Sequence, residues 1–446
     1  MNKVVTVSIF VFAVGYALLT GPFRGADEPN HFFRAFHVSE GGVLAIHGPE
    51  GIVGQFLPAN LLTLVQVAGA LTKIPAIKTS SQELHAAAQV PLNSNHRAPI
   101  NFPNTALYSP LNYFPPAIGI DIGRIFSANL LLLFYFARIF SALFGASLLS
   151  FGINLLPSQA QSLRVFAFIP MVLFQTGMVT ADTITIALGF ICAAEVLRIR
   201  FAYKILTLRR RIALLILALT LSQLRLPYPM IGLAVLAIPS NRFHDRARAR
   251  RFFILFFALL IVPCLLWNAA VPALFSQMRP GTVTDPLQQM TLIAHVPSHF
   301  LSALGWELGR QALFHFRELL GFLGWRNFPL PWPLIIALTV AITISVCSFE
   351  PSAPTLSWRV RIFFLTLAAA GLVATALFIY LMWNEIGIHQ VAGFHGRYFL
   401  PFLPFALIAL ANDSLKKMSS IPMVATVICL AANIVALGLL ARATFF

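Results

Sequence analysis

Asp27, Glu28 and His31 stand together in Gly21-Pro-Phe-Arg-Gly-Ala-Asp-Glu-Pro-Asn-His31, a Gly/Pro-broken run that follows the first apolar stretch of the chain. Two adjacent carboxylates with an imidazole one helical turn on form a set for proton transfer or for holding a cation. The plainer reading is a helix start, because carboxylates before Pro29 bond free backbone N–H groups and suit the helix dipole. Asp182, in Thr180-Ala-Asp-Thr183, has the same two readings.

The cations have their own pairs of readings. Arg138, in Ala137-Arg-Ile-Phe140, marks the edge of an apolar run, where a charge either snorkels to lipid phosphate or faces a cavity. Arg225 lies in the proline-broken turn Leu224-Arg-Leu-Pro-Tyr-Pro229. His395-Gly-Arg-Tyr398 opens a late apolar run. There Gly396 lets backbone come close, and Arg397 offers a two-pronged grip on phosphate that Lys lacks. An interfacial Arg–Tyr anchor is the alternative, and Trp325 with Arg326 fits an aromatic belt at least as well as a substrate contact.

These residues need elements to hold them. Only 10% of the 446 residues are charged and 58% are hydrophobic, against about a quarter charged in soluble chains. Repeated apolar runs predict an all-α polytopic membrane protein, a single integral membrane domain over residues 1–446 with about eleven transmembrane helices. The runs are 4–20, taken as a retained anchor, then 139–156, 163–178, 183–197, 212–224, 228–238, 252–271, 330–346, 362–382, 398–411 and 423–440. The net charge of +16 sits in short basic connectors, so the positive-inside bias explains it and no nucleic-acid partner is expected. Cys192, Cys264, Cys347 and Cys429 lie in apolar runs without metal-ligand spacing and read as small core residues.

Sidedness follows from the connectors. Arg198, Arg200 and Lys204 with Arg209–Arg211, then Arg242 to Arg251, Arg359 with Arg361, and Lys416 with Lys417 all belong on the cytoplasmic side, with the N-terminus. Residues 106–136 are apolar enough to span, but one crossing would invert every later connector. They are expected to skim or re-enter the membrane, with a twice-crossing hairpin as the alternative. Two large loops, 21–138 and 272–329, then share the outer face with Asp182, Arg225 and residues 383–397. Residues 301–322 alternate aromatic and charged side chains as a membrane-parallel amphipathic helix would. Phosphate loop, G-x-G-x-x-G, H-E-x-x-H and G-x-S-x-G motifs are all absent, which leaves cytosolic nucleotide-driven chemistry without a home.

Five motifs in order carry a resemblance. They are Asp27-Glu-Pro-Asn-His31, Tyr108-x-Pro-x-x-Tyr113, Thr180-Ala-Asp182, Leu320-Gly-Phe-Leu-Gly-Trp325 with Leu330-Pro331, and Gly396-Arg-Tyr-Phe-Leu-Pro401. Over nearly its whole length the chain resembles the domain-of-unknown-function 2142 family of bacterial multi-pass membrane proteins. His395 stands where that family usually has glutamine, and Arg225 where lysine is expected. The family in turn is similar to the C-type glycosyltransferases, which carry acidic motifs in outer loops beside membrane-skimming helices and use polyprenyl-phosphate-linked sugars.

The resemblance implies a C-type glycosyltransferase-like fold in the bacterial inner membrane, with the site on the periplasmic face. It implies a polyprenyl-phosphate sugar donor, contact with membrane lipids, and a cell-envelope glycan, lipid or protein as acceptor. Asp27 and Glu28 take the catalytic positions, Asp27 as general base in an inverting transfer. Arg397, with Arg138 or His395, meets the leaving phosphate, and His31, Asp182 and Arg225 are further candidates. Glu28 and Asp182 are the hard oxygen ligands that a divalent ion, Mg or Mn, would use; arginine alone would serve instead. A lipid-linked saccharide transporter or flippase, and an envelope polysaccharide polymerase or ligase, are the alternative functions.

Overall fold

The computed structural model describes residues 2–48, 51–68, 78–126, 129–201, 205–271, 283–348, 356–412, 414 and 421–445. The expected connector residues Lys204, Lys416 and Lys417 lie outside the described residues. The chain is a nearly all-α membrane protein. Four helices are long and apolar enough to cross a membrane: Leu130–Leu155, Arg246–Ala270, Trp358–Trp383 and Met423–Phe445. Shorter apolar helices cover Lys3–Leu19, Tyr228–Ala237 and Trp332–Val346.

The helix Asp182–Phe201 is buried along almost its whole length, as a helix that is apolar all round must be. Leu130–Leu155, Pro170–Gly177, Tyr228–Ala237 and Leu403–Leu410 pack around it. Two runs expected to span continuously are broken instead. Residues 163–178 divide between the 3₁₀ segment Ser158–Phe168 and the helix Pro170–Gly177, and residues 398–411 between Gly396–Phe399 and Leu403–Leu410. Pro170 and Pro404 each sit in the first turn of the second piece, where proline is tolerated but cannot continue a preceding helix.

Three of these elements begin at one end of the molecule and finish at the other. Asp182 starts a helix whose last turn carries Arg198 and Arg200. Arg225 precedes Tyr228–Ala237, whose final carbonyl accepts from Arg200. Arg397 opens the broken run whose last carbonyls, at Ala409 and Ala411, accept from Arg361. Arg242 also donates to the Arg200 carbonyl, at 2.6 Å. The basic connectors and the outer candidates therefore occupy opposite ends.

The first loop departs from the all-helical expectation. Ile46–His47, Val53–Pro58 and Arg97–Asn101 form a three-stranded antiparallel sheet with the second of these in the centre. Within 106–136, the helix Phe114–Phe126 is followed by Leu130–Leu155, which starts nine residues earlier than the expected span. At 1.5 Å per residue, thirteen residues reach only about 20 Å, short of a hydrocarbon core of about 30 Å. The shorter helix lies along the first turns of the longer one, with Gly119 against Phe136 and Gly123 against Leu133.

In the second loop, Ser298–Gly321 is a helix, but its glutamates do not face water. Glu307 and Glu318 turn inward and are buried, while Leu301, Trp306, Leu313 and Phe316 are exposed. Beyond it, Phe322–Leu323 and Phe328–Pro329 pair as a two-stranded hairpin. Gly324 and Arg326 adopt positive φ in its turn. Cys192, Cys264 and Cys429 are buried free thiols, and Cys347 is half-buried.

Candidate functional site

The turn after the first helix sends its two carboxylates in different directions. Glu28 begins the helix Glu28–Ser39, and Asp27 precedes it with φ 55° and ψ 14°, making no side-chain cap bond. Aspartate adopts that left-handed backbone more readily than most residues, and here it leaves the side chain off the helix end. The N-cap reading therefore does not describe Asp27.

Glu28 is fully buried and meets Arg138, also fully buried, through two contacts: Nε to Oε1 at 2.8 Å and Nη2 to Oε2 at 2.6 Å. The Val179 and Gly25 N–H groups donate to the same carboxylate, at 3.1 and 3.0 Å. Arg138 spends its other donors on the carbonyls of Ala17, Thr20 and Gly21, at 3.0, 2.5 and 2.9 Å. With five N–H groups in all, it has none left for a substrate phosphate. It caps the first helix and fixes the acidic turn, so the phosphate role expected for Arg138 and the catalytic role expected for Glu28 are both replaced by a structural one.

Asp27, His31, Asp182, Arg225, His395 and Arg397 line one cavity of about 260 Å³. Short hydrogen bonds bring their segments together. Asn30 Nδ2 donates to Asn104 Oδ1 at 2.6 Å, and Thr105 Oγ1 to the Asn30 carbonyl at 2.9 Å. Ser109 Oγ donates to Gln223 Oε1, and Asn112 Nδ2 to the Gln223 carbonyl, both at 2.9 Å. These bonds set the Tyr108 ring beside the Arg225 turn.

Arg225 is ringed by aromatic faces. Its guanidinium carbon lies 5.2 to 5.6 Å from the centroids of Tyr398, Tyr108, Tyr228 and Phe378. Its Nε and Nη2 are buried without a hydrogen-bond partner among the described residues. Such donors are costly unless a guest supplies acceptors. Arg397 is nearly buried, its Nε 3.7 Å from Asp182 Oδ2 and not hydrogen-bonded.

Burial raises the Asp27 carboxyl above its ordinary 3.8; Asp182 adds to the rise, while Arg397 and Arg225 oppose it. His31 Nδ1 lies 2.7 Å from the Tyr113 hydroxyl. Burial, reinforced by Arg397 and Arg225, pushes this imidazole down to about 3, so it is neutral. Burial and Arg397 likewise hold His395 down at about 4 against the pull of Glu318.

A divalent ion between Glu28 and Asp182 does not fit. Both Glu28 oxygens are engaged, and no group of three His, Cys, Asp or Glu side chains suited to a metal exists among the described residues. Positive charge at the cavity comes from Arg225, Arg326 and Arg397.

Several functional neighbours escaped the sequence reading. Trp383, Met382 and Phe378 wall the cavity from the end of the helix Trp358–Trp383, and Asn104 lines its floor. Trp325 Nε1 donates to the Phe23 carbonyl at 3.0 Å, tying the second loop to the first. Glu318 accepts from Arg326 Nε at 2.7 Å and from the Gly396 N–H at 2.8 Å. The three-residue spacing of His315 and Glu318 was the available signal, since such pairs meet on one helix face.

A family model described as a predicted membrane protein (DUF2142) matches residues 10–406. No curated protein and no solved structure matches the chain.

Proposed function

This chain belongs to the DUF2142 family of predicted membrane proteins, and we propose that it is a glycosyltransferase of the bacterial inner membrane, moving a sugar from a polyprenyl-phosphate donor to a cell-envelope acceptor. In this reading the chain crosses eleven times from a cytoplasmic N-terminus, and the cavity opens to the periplasm. The opposition of cavity and basic connectors supports that sidedness.

The observation that carries the reading is one cavity holding Asp27, whose carboxylate caps no helix, beside Arg225, whose Nε and Nη2 are buried without a hydrogen bond among the described residues. Asp27 takes the proton of the acceptor hydroxyl as that oxygen attacks the anomeric carbon. The bond from that carbon to the phosphate oxygen breaks, and its electron pair leaves on the phosphate. Arg225 and Arg397 stabilise the charge that develops there. Attack opposite the leaving group inverts the anomeric centre, by the geometry of inverting glycosidases.

Packing below the cavity favours transfer over transport. Pro170–Gly177 is buried at every residue, and Asp182–Phe201 is nearly so, whereas transporters place polar sites at mid-membrane. The test is Asp27→Asn. Transfer from a farnesyl-phosphate hexose falls about 10²–10⁴-fold while membrane insertion and thermal stability persist. Full activity in that variant removes the base assignment.

A further inference from the structure

Glu318 stands behind the cavity wall and touches four groups: Arg326, His395, Gly396 and His315. Its Oε1 accepts from Arg326 Nε at 2.7 Å and faces His395 Nδ1 at 3.2 Å. Its Oε2 accepts from the Gly396 N–H and faces His315 Nδ1, both at 2.8 Å. His315 Nε2 in turn faces Glu307 Oε1 at 2.8 Å. The hydrogen bonds from His315, His395 and Gly396 outweigh burial and hold the Glu318 carboxyl well below the usual range. An ionised carboxylate only accepts, so the hydrogen between Glu318 and His395 belongs to the imidazole. A neutral imidazole has one N–H, and placing it on Nδ1 leaves Nε2 with a bare lone pair.

We infer that Glu318 is a positioning residue that holds His395 as the Nδ1–H tautomer, so that Nε2 accepts a hydrogen bond from a carbohydrate hydroxyl in the cavity. The assignment rests on the glycosyl-transfer reading for the identity of the guest, and it changes the work of His395. A phosphate oxygen finds no proton at Nε2, whereas a hydroxyl finds its acceptor. Arg225 and Arg397 only donate, so the imidazole supplies what they lack. The arrangement follows the logic by which a carboxylate behind an imidazole selects its tautomer.

The test uses detergent-purified full-length protein with ¹⁵N-labelled histidine, the His395 signal being assigned by its loss in His395→Asn. Wild type is expected to show neutral His395 protonated at Nδ1. In Glu318→Gln the fixed Gly396 N–H keeps the amide oxygen, the exposed Arg326 loses its acceptor and swings out to solvent, the amide N–H turns to Nδ1, and the proton moves to Nε2. An Nε2–H form in wild type, or one form shared by both proteins, overturns the proposal.

A binding arm compares farnesyl phosphate, its hexose conjugate and a free oligosaccharide. Glu318→Gln lowers affinity for a sugar-bearing probe about tenfold and that for farnesyl phosphate less than twofold. A loss confined to the conjugate places the hydroxyl on the donor, and one confined to the oligosaccharide places it on the acceptor. Equal losses for all three probes reduce Glu318 to a structural role and overturn the inference. If wild type binds none of them, the glycosyl-transfer reading fails and takes the hydroxyl assignment with it, while the imidazole signal still decides the tautomer.

Discussion

The carboxylate of Glu28 and the guanidinium of Arg138 lock together out of solvent, 110 residues apart in sequence, at 2.6 and 2.8 Å. This pair turns Glu28 inward, and the left-handed backbone at Asp27 turns the neighbouring carboxylate into the cavity. Glu28 thus anchors the turn from which Asp27 reaches the cavity wall.

Breaking that pair strands a buried charge, which costs about 3–5 kcal/mol. Arg138→Met and Glu28→Ala should each lower the thermal unfolding temperature in detergent sharply. The double variant Glu28→Gln/Arg138→Met should recover part of the loss, because no ion is left unpaired. Single variants as stable as wild type would return both residues to the list of substrate contacts.

Arg225 is expected to bind the phosphate of the donor. A lysine has a point charge but no planar fork, so Arg225→Lys should weaken farnesyl phosphate binding about tenfold and Arg225→Met about a hundredfold. Calorimetry in detergent measures both, and unchanged affinity in Arg225→Met would take the phosphate role away from this residue.

At Gly396 an added Cβ would fall 1.9 Å from the His315 carbonyl oxygen. That oxygen is helix backbone and yields little, so Gly396→Ala should destabilise by about 1–3 kcal/mol through overpacking. Because the strain lies between His395 and Arg397, transfer should fall further than the stability loss explains. Steady-state rates set beside unfolding temperatures separate the two effects.

The Glu307–His315–Glu318 cluster predicts a pH dependence for the second loop. Burial alone would lower the His315 value, but Glu307 and Glu318 outweigh it and raise it above 6.5. Its contribution to stability is fully present below 6.5 and is lost as pH rises through the raised folded value. The depressed Glu318 carboxyl has the opposite sign: its contribution is present above the ordinary carboxylate value and lost in strong acid. Hydrogen exchange in 314–326, corrected for intrinsic rates, should therefore be slowest in mildly acidic to neutral buffer and faster at high pH. Exchange that stays flat across that range would mean His315 does not titrate within it.

Asp27, Asp182, Arg225 and Arg397 were legible because an ionisable residue in a chain this apolar needs a reason, and connector charge placed all four at one end. The separation of Asp27 from Glu28 was not, since adjacency in sequence does not reveal which of two carboxylates a left-handed backbone will turn aside. Glu318 is visible on an amphipathic helix, yet spacing alone does not show which of its charged residues turn inward. In water a charged face turns outward; here Glu307 and Glu318 meet the buried His315, Arg326 covers Glu318 from the surface, and Leu313 and Phe316 face out. The sheet at Val53–Pro58 is short and paired with distant residues, so local alternation gave it no signal.

The bond from Trp325 to the Phe23 carbonyl bears on how the protein is made. A chain emerging from the ribosome makes its acidic turn early, but the indole that clamps that turn, and then Arg397, follow about 300 and 370 residues later. Until they arrive the nascent chain holds Asp27 and Arg225 without Trp325 or Arg397, so the cavity that all four line is completed only near the end of synthesis.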